Sequence, residues 1–438
     1  MNLLKNLGFW LLLIIGLSLL MGLLLWSPWW MLPVLAAALA LWLAVTRPGQ
    51  QTASVLWVGI ATIPQRIGSS AVIVVGIAGV VGVLVALLAM AAGFERKLSQ
   101  TGSDDTVMIL RSGALSESTS TLSQESVALI TPLPYILKNS ENKPIVSPEQ
   151  LVVGNLPRKS TGLDARVGIR GVGDRVWELW PHIKITAGRR FTPGLRELVV
   201  GKDAQQEFAG LKVGAPVKFD KQPWTVVGIF DSGDAHGSEI WGDASVVSAD
   251  YFRGGSWSSL TARLTDAGAL AAFKAAVESD QRLKVNVQTT LEYYNRQTKA
   301  FTRLITTLGA IIGVIMAVGA IAGAVNATYT AIARRTREIA TLRAVGFRPM
   351  PVLLSVLLET MLLAALGGIG GAAITWGIFD GFVASTAGAS GRVVFALDVS
   401  SQLLWDGLKW ALSIGFIGGV LPAIRATRVP IAAGLREL

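Results

Sequence analysis

Cysteine is absent from the 438 residues. The chain therefore forms no disulfide and offers neither a thiolate metal ligand nor a cysteine nucleophile. That absence also suits a domain facing an oxidising compartment. Histidine is almost absent, with only His182 and His236, so a histidine-based triad has little to draw on. Charge is scarce as well: 16% of residues, against about 25% in a soluble globular protein. No G-x-x-x-x-G-K-[ST] phosphate loop occurs. The nearest fragment, Gly201-Lys202-Asp203, lacks the upstream glycine and the magnesium-holding hydroxyl. ATP is not bound by that route, and ATP-driven work calls for another subunit. Nor is there a basic run with interleaved aromatics, which excludes a nucleic-acid groove of that kind.

What the chain has is apolar residues: 51% of the total, with a mean hydropathy of +0.52. They concentrate at the two ends, while the middle reads like a soluble domain. A spanning helix needs about 20 mostly apolar residues. Six stretches are expected to span: 7–26, 29–45, 70–94, 304–329, 352–379 and 403–422. The first has a signal-peptide flavour through Lys5, but its apolar run is long and no small-x-small cleavage site follows. With Ser27-Pro28-Trp29-Trp30 as an interfacial turn, the first two form an uncleaved hairpin.

Net charge is +10, and the excess lies beside the apolar runs. Lys5, Arg47, Arg66, Arg334, Arg335, Arg337, Arg343, Arg348, Arg425, Arg428 and Arg436 fall on one side of a six-span arrangement. Arg392 lies on the other, with Lys409 just inside the sixth span. The positive-inside rule then makes both termini cytoplasmic and puts the middle outside the cytoplasm. The expected fold is a membrane α-helical protein with six transmembrane helices and a large α+β extracytoplasmic domain inserted between helices 3 and 4. Its segments are a hairpin over 1–46, a cytoplasmic amphipathic stretch over 47–69, the third span at 70–94, the outer domain over 95–303, and a C-terminal membrane part over 304–438.

Glycine pairs at four-residue spacing recur in the spans: Gly309 and Gly313, Gly319 and Gly323, Gly367 and Gly371, Gly415 and Gly419. Such pairs let helix backbones approach, within one chain or across a homodimer seam. Glu359 near the fifth span reads as a snorkelling or capping group, or as a mark of a pathway. In the middle, Leu198–Val200 and Trp224–Ile229 read as strands. Residues 267–279 read as an amphipathic helix with Leu270, Phe273 and Val277 inward, and 112–126 as a Ser/Thr-rich loop. Two lobes are expected. The tryptophans at 177, 180, 224, 241 and 257 suit a core. Asp231, Asp234, His236, Glu239 and Asp243 crowd one stretch, but their spacing matches no metal motif and reads as a polar loop.

The segment from Ala333 to Phe347 is a short amphipathic helix. Ile339 and Leu342 share one face, Arg334, Glu338 and Thr341 another, and Gly346 has the position of a C′ residue. Composition alone leaves two readings open: an anchor on anionic lipid, or a docking helix for a cytoplasmic partner.

Three stretches carry a resemblance to the MacB/FtsX-type ABC permeases. Arg335 to Gly346 is similar to the family's Arg-x-x-Glu-Ile-x-x-Leu-Arg-Ala-x-Gly pattern. Pro422 to Arg436 resembles its C-terminal ending, with Gly434 where alanine is usual. The runs Ile185–Phe191, Glu197–Gly201 and Val226–Phe230 are similar to the family's periplasmic core domain. The N-terminal pair of spans is an addition to the family's four helices. The resemblance implies that Arg334, Arg335, Arg337, Glu338, Ile339, Leu342, Arg343 and Gly346 belong to a coupling helix docking in an ABC ATPase. Arg425, Arg428 and Arg436 would lie in a cytoplasmic tail. It implies a permease homodimer in a bacterial inner membrane, no cofactor on this chain, and ATP and magnesium bound by the partner. Mechanotransmission would reshape the outer domains, with a periplasmic adaptor and outer-membrane channel in the efflux branch. Lipoprotein or lipid extraction and hydrolase regulation are other branches. A membrane sensor or scaffold is the alternative reading.

Overall fold

The computed structural model describes residue 22 and residues 26–219, 222–388 and 391–427. The first expected span, apart from residues 22 and 26, and the tail residues Arg428 and Arg436 lie outside them. The chain divides into two units. One comprises residues up to Met90, Leu304–Phe382 and those from Asp398. The other comprises Ala91–Arg303 and Val383–Leu397.

The first unit is helical. Helix α1 (Met31–Val45) and helix α2 (Arg47–Ala61) meet at a 101° bend. At the bend Thr46 is extended and caps α2, its Oγ1 accepting from Gly49 N at 3.1 Å. Helix α1 has 15 residues, short of the roughly 20 needed to cross the hydrocarbon core. The second expected span is thus half of a bent pair. Helix α2 buries Gly49, Thr52, Val55 and Gly59, a spacing that puts one face of the helix inward. Helix α3 (Ile67–Ser99), helix α4 (Thr290–Arg334), helix α6 (Pro349–Phe379) and helix α7 (Ser401–Thr427) follow, with the short helix α5 (Thr336–Ala344) after α4. Among the described residues four helices are long and apolar enough to span, or five if the bent pair counts as one. The first of the six expected spans is not part of this count, because nearly all of it lies outside the described residues.

Glycine sets how close these helices lie. A Cβ at Gly371 would meet the Ala78 carbonyl oxygen at 2.4 Å, and one at Gly415 the Ala364 Cβ at 2.3 Å. These glycines serve contacts within the chain. Gly319 has nothing within 4 Å of where its Cβ would stand.

The second unit is built on a ten-stranded sheet. Its strands are β1 (Thr106–Arg111), β2 (Val146–Pro157), β3 (Asp164–Val172), β4 (Lys184–Gly188), β5 (Glu197–Gly201), β6 (Pro216–Phe219), β7 (Gln222–Asp231), β8 (Ile240–Asp243), β9 (Ser259–Arg263) and β10 (Val285–Thr289). The order is β10-β1-β9-β2-β3-β8-β5-β7-β4, with β6 beside β7. Strand β2 serves two lobes: Val146–Glu149 pairs with β9, and Gln150–Pro157 with β3. One lobe packs Val107, Ile109 and Leu260 against Phe273 and Val277 of the helix Leu270–Ser279. The other holds Val167, Leu198, Trp224 and Ile240 in one core, and Val172, Trp180, Phe230 and Trp241 in another.

A further piece joins this unit from far along the chain. The connection between α6 and α7 forms a hairpin of β11 (Val383–Gly388) and β12 (Gly391–Ala396). Glu207 Oε1 accepts from Ser385 Oγ at 2.9 Å and lies 3.6 Å from Arg392 Nε, and Val394 N donates to Ser238 Oγ at 2.9 Å. Gly391 has a φ of +121°, and a Cβ there would meet Gly168 N at 2.5 Å. The sequence shows this stretch only as a short loop.

Candidate coupling site

Helix α4 ends at Arg334, and Arg335 leaves the helical region with φ −108° and ψ 12°. Eleven residues later Gly346 adopts φ +108°. Gly346 N donates to Arg343 O at 3.2 Å and Phe347 N to Leu342 O at 3.1 Å, the paired bonds of a Schellman stop. Pro349 then opens α6, where its missing N–H costs nothing. These two breaks make α5 a separate short helix.

Its inward face is apolar. Ile339 packs with Ile332, Val352, Val356, Leu357, Ala423 and Ala426, and Ala340 is buried beside it. Leu342 is half-buried. Arg334, Arg337, Glu338, Thr341 and Val345 are exposed, Val345 to 75% and the nearby Met350 to 60%. The expected docking charges divide into two groups. Arg335 donates through Nε to Glu338 Oε2 at 2.8 Å and through Nη1 to Glu359 Oε2 at 3.3 Å. Arg343 Nη1 donates to Thr427 O at 3.1 Å, at the end of α7. Both guanidinium groups have work inside the chain, whereas Arg334 and Arg337 face outward. Arg425 lies over the Tyr329 ring at 5.3 Å.

Sequence reasoning missed the role of Arg66 and Glu359. Glu359 neither snorkels nor caps: its side chain is 11% exposed and is paired with Arg66 and Arg335. An acid inside an apolar run was the one signal, and its partners lie 293 and 24 residues away.

The outer unit has a polar centre of its own. Arg170 on β3 is buried among three carboxylates. Nη1 reaches Glu117 Oε1 and Glu149 Oε2, each at 2.6 Å, and Nε reaches Glu239 Oε2 at 2.7 Å. Glu149 lies on β2, Glu117 in the stretch expected to be a loop, and Glu239 just before β8. Asp234 Oδ2 lies 3.2 Å from both His236 Nδ1 and His182 Nε2. Burial alone pushes the Glu239 carboxyl up, but Arg170 outweighs it and holds it below the usual range. Burial raises Glu149, with Arg170 opposing only in part. Burial disfavours charged His236, yet Asp234 raises it overall, and in return His236 and His182 hold Asp234 low against its own burial. Asp243 caps the helix Ala244–Asp250, accepting from Ser245 N at 2.9 Å and Val246 N at 3.0 Å. Asp231 pairs with Lys202 at 2.9 Å. The crowded acids of this stretch are each engaged in structural contacts.

Long apolar helices with a large folded domain inserted between α3 and α4 define a multi-pass membrane protein with an extracytoplasmic domain. Residues 70–280 match the MacB-like periplasmic core domain family, and residues 310–431 match the FtsX-like permease C-terminal family. The chain belongs to the MacB/FtsX type of ABC-transporter permeases. It is 26% identical over 297 residues to the macrolide export ATP-binding/permease protein MacB of Rhodopseudomonas palustris, covering 63% of this chain and 44% of that one. To the protein of the same name from Vibrio parahaemolyticus it is 25% identical over 322 residues, covering 68% and 48%. The chain thus spans less than half the length of either relative. The crystal structure of the periplasmic region of MacB from Actinobacillus actinomycetemcomitans covers 42% of this chain and 89% of that one, at 16% identity and a TM-score of 0.33.

Proposed function

We propose that this permease works by mechanotransmission, driven by an ABC ATPase on separate chains that binds the ATP and magnesium. Helix α5 docks on the ATPase, and nucleotide-driven closure of the ATPase pair moves the spanning helices and reshapes the outer domains. Two copies assemble in a bacterial inner membrane with both termini in the cytoplasm. The substrate is handled on the outer side, by export with a periplasmic adaptor and outer-membrane channel or by extraction from the membrane. A two-state element biased from one end can do this without a polar conduit.

The observation that carries this reading is the division of α5. Its inward face is fixed by Ile339, Arg335 and Arg343, while Arg334, Arg337, Thr341 and Val345 form a mixed basic and apolar outer face. A lipid anchor would place its apolar residues together on the membrane side. A docking helix needs an outward face that joins charge to an apolar contact.

The test is affinity purification of the chain in mild detergent, with proteomic identification of what co-elutes. A soluble ABC ATPase at near-equal stoichiometry is expected. Reversing Arg334 and Arg337 to glutamate should weaken its retention about tenfold or more, ~1.4 kcal/mol, with membrane insertion intact. Full retention in that variant would exclude α5 as the docking helix, and absence of any ATPase after gentle crosslinking would exclude the transporter mechanism.

A further inference from the structure

Glu359 sits in a spanning helix with both carboxylate oxygens engaged. Arg66, in the turn before α3, donates through Nη2 to Glu359 Oε1, and Arg335 reaches Oε2 at 3.3 Å. The same Arg66 nitrogen donates to the Gly59 carbonyl of α2 at 3.0 Å. Gly59 lies so close that a Cβ there would meet Glu359 Oε2 at 2.6 Å. One carboxylate therefore ties together α2, the turn before α3, the break between α4 and α5, and α6. Arg66, Arg335, Glu359 and the hydroxyl-bearing Thr328 and Thr360 line a cavity of about 30 Å³. A carboxylate in such surroundings holds its arginines tightly, because losing either leaves a charge without a partner away from water.

We propose that Glu359 is a positioning residue that sets the angle of helix α5, and that α2 controls this setting through Gly59. The bent N-terminal pair then acts as a brace on the coupling site. The inference rests on reading α5 as the docking helix.

Absence of native cysteine allows a clean test. The full chain carries a spin label at Thr341→Cys, on the exposed face of α5, and is placed in lipid nanodiscs without any partner. The expected spectrum is largely immobilised. Glu359→Gln should add a mobile component. Gly59→Ala should do the same although it keeps all three charges, and although an alanine at an ordinary helical glycine stabilises. Gly319→Ala, whose Cβ meets nothing within 4 Å, should leave the spectrum unchanged. The same variants then go through the ATPase co-purification. Glu359→Gln and Gly59→Ala should weaken retention about tenfold, and Gly319→Ala not at all. Should Glu359→Gln fail to fold, Gly59→Ala alone decides. An unchanged spectrum in Gly59→Ala overturns the brace. Loosened spectra in a chain that retains no ATPase even as wild type support the brace and overturn the docking reading instead.

Discussion

Arg170 shows what one residue can hold. Its guanidinium binds carboxylates from both lobes of the outer unit, and it is 1% exposed. A buried ion cluster is weak evidence of net stability, but breaking one is costly because charges are left behind. Arg170→Met should destabilise the outer unit by about 3–5 kcal/mol, read as faster hydrogen exchange of β2 and β3. His236 makes the same centre sensitive to pH. Its folded pKa lies above the ordinary value of 6.5, so its stabilisation is complete below that value and is lost as pH rises through the folded one. Glu149, also raised, acts in the same direction. Asp234 and Glu239 are lowered from 3.8 and 4.5. Their contribution is present above those values and is lost as pH falls through the folded ones. The contribution of Asp234 and Glu239 is complete above about pH 4.5 and that of His236 below about pH 6.5, while Glu149 already gives up its share as pH rises above 4.5. Exchange protection should fall towards pH 8, and His236→Gln should flatten that alkaline slope; an unaltered slope would exclude His236 as its source. None of this was legible locally. Glu117 stands in a Ser/Thr-rich run that reads as solvated, and only the fold brings it 53 residues along the chain to Arg170.

At the scale of elements, helix ends were legible and helix roles less so. Gly346 and Pro349 mark the stop and restart of α5 and α6 because a left-handed residue and a residue without an N–H act through local geometry. The four-residue glycine spacing announced close helix contacts, but not which pairs make them. Gly371 lies against the Ala78 backbone, where neither side can yield. Gly371→Ala should cost about 1–3 kcal/mol through overpacking, visible as a lower unfolding temperature of the detergent-solubilised chain. Gly319→Ala should leave that temperature within error. The second expected span became a bent pair because Thr46 turns the chain and caps a new helix after 15 residues.

For the whole molecule, the number of chain crossings matters. The backbone passes between the two units at 90–91, 303–304, 382–383 and 397–398. The hairpin β11–β12 therefore gives α6 and α7 a covalent route to the outer unit, besides the routes through α3 and α4. Its fastening rests on Glu207, which also accepts from Arg158 Nε at 2.7 Å. Under the mechanotransmission reading, Glu207→Gln should lower substrate export per ATP hydrolysed while leaving ATPase activity in place; unchanged coupling would show that the hairpin carries no part of the motion. Helix α4 exposes Ile311, Ile315 and Val318. If two copies join along this face, Ile315→Cys should form a crosslinked dimer under mild oxidation, and a monomer-only result would move the seam elsewhere.

The sequence by itself determined the membrane character, the separation of an apolar frame from a folded middle, and the stop of α5 at Gly346, whereas it began that helix at Ala333, which the structure assigns with Arg334 to the end of α4. Each of these follows from local quantities: the length of an apolar run, the charge beside it, the residue at a helix end. Tertiary structure alone decided that Arg335 and Arg343 face inward while Arg334 and Arg337 face out, that Glu359 joins four elements, and that the loop between the last two helices belongs to the outer unit. These outcomes depend on ion pairs and packing between residues far apart in the chain. Such contacts exist only once the helices and strands have brought their side chains within bonding distance.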